Sequence, residues 1–315
     1  MATHLLSADP THSVWSRDLS PRLTISSGDT VHFACHDATG NQLTPASTLA
    51  EYLAIDRDRI HALTGPVFVK DAEPGDVLEV NILEVAHKGW GWTSTIPGLG
   101  FLDERFTEAS LFHWVLEDSI SKSLAPAVLP LRPFCGVMGV ALAEAGAFKT
   151  RPPGPFGGNM DVRDLSTGAT LYLPVFNPGA LFSCGDAHAA QGDGEVCING
   201  IECPANVTLC FRLHKSRPLS APLIEAPPPS PAPEGFWTVV ESAPEALDAA
   251  RVATSRMVDL LASRWGFTPL EAYLLCSVAM DLRLAQVVNR PMTTVAASIP
   301  KHILPSRSLY GSSTK

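Results

Sequence analysis

The sequence predicts an α+β protein that is mainly β, with packed mixed β-sheets in a sandwich-like arrangement and helices at the C-terminal end. Three observations carry this. Gly (23) and Pro (27) together make up about 16% of the 315 residues, against roughly 12% in average usage, so turns are frequent and long helices few. Short runs rich in Val, Ile, Phe and Leu recur between turn clusters over the first two thirds of the chain. Helical periodicity is confined to the region after residue 243, and strands first with helices last is the α+β order. The length fits a single domain over 1–315, with sub-lobes at 1–135 and 136–315 as an open subdivision.

Residues 23–35, LTISSGDTVHFAC, and 66–85, PVFVKDAEPGDVLEVNILEV, read as strands, the second stretch broken by the turn Pro74-Gly75-Asp76. Four short strands follow between 168 and 213: GATLYLPV, ALFSCGD, GEVCING and NVTLCFRL. Residues 218–235 are Pro-rich and read as a surface crossover inside one fold, because the strand FWTVV at 236–240 follows at once; an extended linker is the alternative. A helix over 243–263 places Leu247, Ala250, Val258 and Leu261 on one face. A second opens on the capping box Thr268 to Glu271 with Pro269 in its first turn. It runs to about Val288, where Asn289-Arg290-Pro291 ends it, and its apolar content, Leu282 and Leu284 included, predicts burial against a sheet.

A formal charge of −9 leaves no basic footprint, so nucleic acid is not an expected partner. No apolar run approaches the ~18 residues of a membrane span, and the first residues, MATHLLSADPTHSVW, lack the basic start and apolar run of a signal peptide; a cytoplasmic location and no membrane partner are expected. Seven cysteines (35, 135, 184, 197, 203, 210 and 276) include no C-x-x-C pair, which reads as reduced thiols.

The densest polar cluster is Gly185-Asp186-Ala187-His188-Ala189-Ala190-Gln191-Gly192-Asp193-Gly194-Glu195. In an extended segment Asp186 and His188 share a face and offer a divalent metal one oxygen and one nitrogen donor; Asp193 and Glu195 repeat the spacing. A polar hairpin loop whose carboxylates cap backbone N–H groups has the same composition, and spacing leaves both readings open. A calcium loop of the EF-hand type does not fit, since counting from Asp186 puts Ala190 and Gln191 at its fifth and sixth positions. Asn159 with Asp161, and Asp37 after Cys35-His36, are further polar groups beside glycines or turns. Asp281 and Arg283 fall on different faces of the second helix, where a carboxylate orienting a metal site and a buried ion pair are both open. His32 and His61, beside apolar residues, read as ordinary core or surface histidines. Loop 90–106, with Trp90, Trp92 and Phe101, is a candidate pocket wall.

Six blocks, HFACHDATGNQ (32–42), LTGPVFVKDAEPGDVLEVNILEV (63–85), GVMGVALAEAG (136–146), GGNMDVRDLSTGATLYLPV (157–175), GALFSCGDAHAAQGDGEV (179–196) and SVAMDLRLAQVVN (277–289), resemble the acetamidase/formamidase family of metal-dependent amide hydrolases. The resemblance implies hydrolysis of short aliphatic amides such as formamide and acetamide, a divalent metal, and a homo-oligomer of at least two chains. By position it implies Asp37, Asp161, Asp186 and His188 as metal ligands, Glu195 as general base and Gln191 as a hydrogen-bonding partner of the substrate amide. Mixed carboxylate and imidazole ligation suits Zn²⁺ without excluding Mn²⁺ or Fe²⁺. No G-x-S-x-G elbow is present, and neither the serine nor the cysteine amidases find their nucleophile loops here. A non-catalytic metal- or small-molecule-binding protein on the same fold is the alternative, because a fold does not carry function by itself.

Overall fold

Two β-sheets contain most of the strands read from the sequence and several that it does not signal. The computed structural model describes all residues except 101–103, 105–106, 125–127, 196, 218, 227–234, 270–271, 273–279 and 305–315. The first sheet has nine strands, in the order Thr3–Leu6, Thr30–Cys35, Ala205–His214, Val77–His87, Thr170–Pro174, Leu223–Ala226, Phe236–Ala243, Thr293–Pro300 and Asp281–Gln286. Its first pair is parallel and the others antiparallel. The second sheet has eight strands: Gly157–Asn159, Phe134–Gly139, Phe182–His188, Glu202–Cys203, Trp90–Thr95 and Ser110–Val115 in that order, with Leu63–Val69 also pairing Phe182–His188 and Leu23–Ile25 parallel to it. Both sheets take strands from both halves of the chain.

The sheets face each other across one apolar core. Phe182 of the second sheet packs edge-on against Phe33 and Phe211 of the first, with ring centroids 6.2 and 5.1 Å apart, an arrangement worth more than its buried area alone. A second core lies where helix Ala246–Trp265 covers strands Phe236–Ala243 and Thr293–Pro300. Ala249, Ala253, Met257 and Leu261, spaced four apart, make its buried face, and Gly266 ends it at φ +80°. The expected helix is therefore present, but its face is rotated: Leu247 is 70% exposed. Among the described residues no helix is long and apolar enough to cross a membrane.

Three other expectations change. The described residues of the segment GEVCING do not form a strand, because Glu195 and Ile198 have φ +49° and +97° and cannot continue an extended chain; the two-residue strand Glu202–Cys203 lies beyond it. The Pro-rich stretch 218–235 contains the strand Leu223–Ala226, three of whose four residues are buried, while its residues 218 and 227–234 lie outside the described ones, as does Phe101 of the expected pocket wall. The helix expected over 268–288 gives way, at Asp281–Gln286, to an edge strand paired antiparallel with Thr293–Pro300; its residues 270–271 and 273–279 lie outside the description. The cause is a period-two pattern inside a run that also satisfies helical spacing. Leu282 and Leu284 share one open face, 50% and 45% exposed, and Arg283 turns to the other, where it pairs with Asp164 and Asp193.

This packing sets an order of stability losses. Phe182→Ala should cost about 3–5 kcal/mol and Met257→Ala about 2–5 kcal/mol, whereas Leu247→Ala, on the open helix face, should stay within about 0.5 kcal/mol of the parent. Urea unfolding midpoints at unchanged slope measure all three.

Candidate active site

Strand Phe182–His188 changes partner part-way along. Up to Gly185 it pairs with Leu63–Val69, and from Ala187 it pairs with Glu202–Cys203. Asp186 sits between the two ladders with φ +53°, a left-handed conformation uncommon outside glycine. On the other side Phe134–Gly139 pairs with residues flanking Asp186 and leaves Gly136 opposite it. A Cβ at Gly136 would lie 2.3 Å from Asp161 Oδ1 and 3.1 Å from Asp186 Oδ2, so the bare backbone is what lets two carboxylates converge there. Asp161 and Glu195 are also left-handed, both at φ +49°. Backbone strain of this kind persists only where surrounding structure over-determines it.

Five ionisable side chains meet at this fork, and all are buried. Asp161, Asp186 and His188 offer ligand atoms within 4.8 Å of one another, and so do His188, Glu195 and Glu202. His188 Nε2 is 3.0 Å from Glu202 Oε1 and 3.7 Å from Asp186 Oδ1; His61 Nε2 is 3.8 Å from Asp186 Oδ2. The tautomer of His188 follows from its neighbour. Gln191 Nε2 donates to the carbonyls of Asp161 and Ala285, at 2.8 and 3.3 Å, so its Oε1 is the atom that accepts from His188 Nδ1 at 2.7 Å. Nδ1 thus carries a proton and Nε2 is directed at the carboxylates.

The electrostatics are those of crowded acids in a dry place. Burial pushes the Asp161 carboxyl up, against the pull of His188. Burial and then the Asp161 charge push Glu195 well above the carboxylate range, and burial pushes Glu202 up to about 8. At Asp186 the cost of burial is outweighed by His61 and His188, which hold its carboxyl well below its usual range. At His188 burial is outweighed by Glu202 and Asp186, and the imidazole is raised well above its ordinary value. Asp161 Oδ1, Glu195 Oε2, Glu202 Oε2 and Asn159 Oδ1 are buried with no hydrogen-bond partner among the described residues. Unpartnered carboxylate oxygens around an imidazole nitrogen form a donor set that a divalent cation fits.

These residues open on a cavity of about 60 Å³. Its walls add Asn159, Asn199 and Asn289 to the charged cluster, and Ile60, Trp92, Ile96 and Ile198 supply apolar surface; exposed Arg57 and half-buried Arg151 lie at its rim. Of the residues implied by the resemblance, Asp161, Asp186, His188 and Glu195 come together here. Asp37 stands apart: its carboxylate accepts from Trp92 Nε1 at 2.9 Å, Thr39 Oγ1 at 2.8 Å and the Asn41 amide at 2.9 Å, and so fixes the Trp92 wall. Gln191 stands behind the imidazole and lines a separate cleft of about 480 Å³; Glu195 and Asn199 line both.

Sequence reasoning missed Glu202, Asn289, whose side-chain amide donates to Asp161 Oδ2, and His61, which it set aside. A glutamate on a strand of two residues gives no periodic signal. The block SVAMDLRLAQVVN did contain Asn289, but a helix reading hid its direction.

A family model described as the Acetamidase/Formamidase family matches residues 3–145 and 141–306. The crystal structure of an acetamidase from Bacillus halodurans superposes with a TM-score of 0.87 at 34% identity, over 95% of this chain and 98% of that one. That of a predicted acetamidase/formamidase from Thermoanaerobacter tengcongensis gives 0.89 at 30% identity, over 96% and 97%. A formamidase of Methylophilus methylotrophus is 30% identical over 244 residues, 60% of each chain.

Two outcomes follow from the crowding. Groups with raised folded pKa values contribute stability that is fully present below their unfolded values, ~4.3 for Glu and ~6.5 for His, and lost as pH climbs to the folded values, about 8 for Glu202. The thermal midpoint of protein stripped of divalent cations should therefore fall between pH 6 and 8.5, and saturating divalent cation should remove the fall; scanning calorimetry measures it. Gly136→Ala should keep native circular dichroism but weaken divalent-cation affinity by roughly 10- to 100-fold, the range for displaced supporting groups, as measured by titration calorimetry.

Proposed function

We infer the chemistry of this site from the fact that the chain belongs to the Acetamidase/Formamidase family. It is a hydrolase of carbon–nitrogen bonds in linear amides, and we propose that its substrates are short aliphatic amides of the formamide and acetamide type, converted to the carboxylic acid and ammonia. The observation that carries the reading is the buried set of unpartnered carboxylate oxygens around His188 Nε2, opening on a cavity of about 60 Å³. In our reading Asp161, Asp186, His188 and Glu202 hold a divalent cation, with Zn²⁺ first among those to test. What the bound ion supplies is Lewis acidity toward the amide carbonyl and toward water.

The chain's own groups do the rest. Glu195, whose Oε2 is buried and without a partner, takes a proton as water oxygen bonds to the carbonyl carbon. It returns that proton to nitrogen as the C–N bond breaks. Asn159 Oδ1, buried and without a partner, accepts an N–H of the substrate amide. Gln191 fixes the His188 tautomer, and Asp37 fixes Trp92. The whole chain acts as one unit, since Ala38, His61 and Trp92 come from the first 135 residues and the charged cluster from the rest. We take it to be at least a dimer, in keeping with the apolar edge formed by Leu282 and Leu284. We place it in the cytoplasm, where the adjoining thiols of Cys35, Cys135 and Cys184 stay reduced.

Metal content measured beside ammonia release assigns the roles. His188→Ala should lose both the cation and turnover. Glu195→Gln should keep the cation and lose ~10²- to 10⁴-fold in rate. A Glu195→Gln protein without metal would move Glu195 into the ligand set, and a wild type that binds amide and cation without releasing ammonia would make this a binding protein instead.

A further inference from the structure

We propose that Ile198, held in a strained left-handed backbone conformation, is the wall that sets how long an acyl chain the cavity accepts. The inference rests on the amidase reading and deepens it. At φ +97° a β-branched residue is a genuine conformational outlier, whereas glycine would adopt the same backbone without penalty. An isoleucine there needs a reason that the backbone does not supply.

The backbone on both sides cannot relax. The Ile198 amide donates to the Glu195 carbonyl at 3.0 Å, and the Ile201 amide to the Ala190 carbonyl at 2.9 Å. Asn199 is fixed twice to Ser94: its Oδ1 accepts the Ser94 amide at 3.0 Å, and its Nδ2 donates to Ser94 Oγ at 2.7 Å. Tyr52 Oη lies 2.7 Å from the same hydroxyl, and Thr93 Oγ1 donates to the Gly200 carbonyl at 2.7 Å. Residues 199–201 are thus laced to strand Trp90–Thr95 and to the turn after His188. Strain of this sort clusters at sites where it serves a function.

What the strain accomplishes is the position of one side chain. Ile198 lines the cavity that holds the charged cluster. The ligand atoms of that cluster fall into two overlapping triples, Asp161-Asp186-His188 and His188-Glu195-Glu202, each within 4.8 Å and sharing His188. Ile60, Trp92, Ile96 and Ile198 contribute apolar surface to the same cavity. A short amide is polar at its carbonyl and nitrogen and apolar at its acyl end, and the lining offers both kinds of surface. About 60 Å³ is room for a few water-sized groups, a size that suits a short acyl chain. Among the apolar residues of the wall, Ile198 alone combines a positive φ with hydrogen-bonded neighbours that prevent its withdrawal.

The test compares Ile198→Ala, Ile198→Gly and Ile198→Val with the wild type on formamide, acetamide, propionamide and butyramide. A pocket distinguishes one methylene by roughly 10- to 200-fold, so the ratio of kcat/KM for butyramide over formamide should rise about tenfold or more in the alanine and glycine variants, and less in the valine variant. Thermal midpoints add a readout independent of turnover. Ile198→Gly should melt above Ile198→Ala, because only glycine releases the strain, although it buries less side chain. Unchanged acyl ratios in active alanine and glycine variants would overturn the role of Ile198 and leave the amidase reading standing. A wild type inert toward every amide would overturn the amidase reading, and the acyl wall with it. A glycine variant that melts below the alanine variant would overturn the strain argument. Should Ile198→Ala fail to fold, the strain-free glycine variant carries the acyl comparison.

Discussion

On one of its two sides no single neighbour pairs with strand Phe182–His188 along its length, and the site exists because of that. Leu63–Val69 leaves it after Gly185 and Glu202–Cys203 joins it at Ala187, so the backbone at Asp186 is free of a regular ladder on that side and turns left-handed. In an unbroken strand the side chains at 186 and 188 would stand apart on one flat face. The kink instead brings the Asp186 carboxylate to 3.7 Å from His188 Nε2. It brings Glu202 beside the imidazole as well, because the strand that takes over at the fork carries that residue. The opening in the sheet and the convergence of ligands are one event. The apolar sandwich around it, with Phe33, Phe182 and Phe211 in contact, offsets the local strain and keeps the fork from collapsing into regular pairing.

A second constraint follows from where the fork lies. Four carboxyls and an imidazole sit almost wholly out of water, where an isolated ionised carboxylate is expensive and shifts its pKa or finds a partner. The molecule uses both answers. Asp186 is kept ionised between two histidines, and Asp161 takes a hydrogen bond from Asn289. Glu195 and Glu202 are left with bare oxygens and raised pKa values. Such a site is poor at stabilising a fold and good at taking up a cation and a proton, which is the use we propose for it. Asp37 is the contrast. It is equally buried, yet three donors satisfy its carboxylate.

What was legible in the sequence follows the range of the forces involved. The strands that alternate over five or more residues, such as Val77–His87 and Ala205–His214, were read correctly because alternation is local. Asp161, Asp186, His188 and Glu195 were singled out through residue types crowded beside glycines, together with the family resemblance, and the fold brings the four to one cavity. Glu202 and His61 reach the site only through tertiary pairing, and nothing near them in sequence announces it. Gln191 was expected to face the substrate amide; its side chain meets His188 Nδ1 and the carbonyls of Asp161 and Ala285, partners that its neighbours in sequence do not announce. Over 281–286 both periods fit the same letters, and pairing with Thr293–Pro300 decided in favour of the strand.

That edge strand also explains how Glu195, the candidate base, is held. Glu195 sits on a loop whose preceding residues, Gly192 and Asp193, are exposed, so the loop needs an outside anchor. Asp281–Gln286 and the residues after it provide one: the Gly194 amide donates to the Ala285 carbonyl at 3.1 Å, and the Val287 amide returns a bond to the Gly194 carbonyl at 3.2 Å. Arg283 reaches Asp193 at 3.3 Å as well as Asp164, while Arg163 meets Asp193 at 2.7 Å. Pairs this exposed add little stability, but they fix a register. Three residues beyond the strand, Asn289 is held by Gln286 Oε1 at its amide, 2.8 Å away, and passes the constraint to Asp161. One short strand of the first sheet therefore positions both the candidate base and a candidate ligand of the second. The two sheets meet chemically at the site as well as hydrophobically in the core.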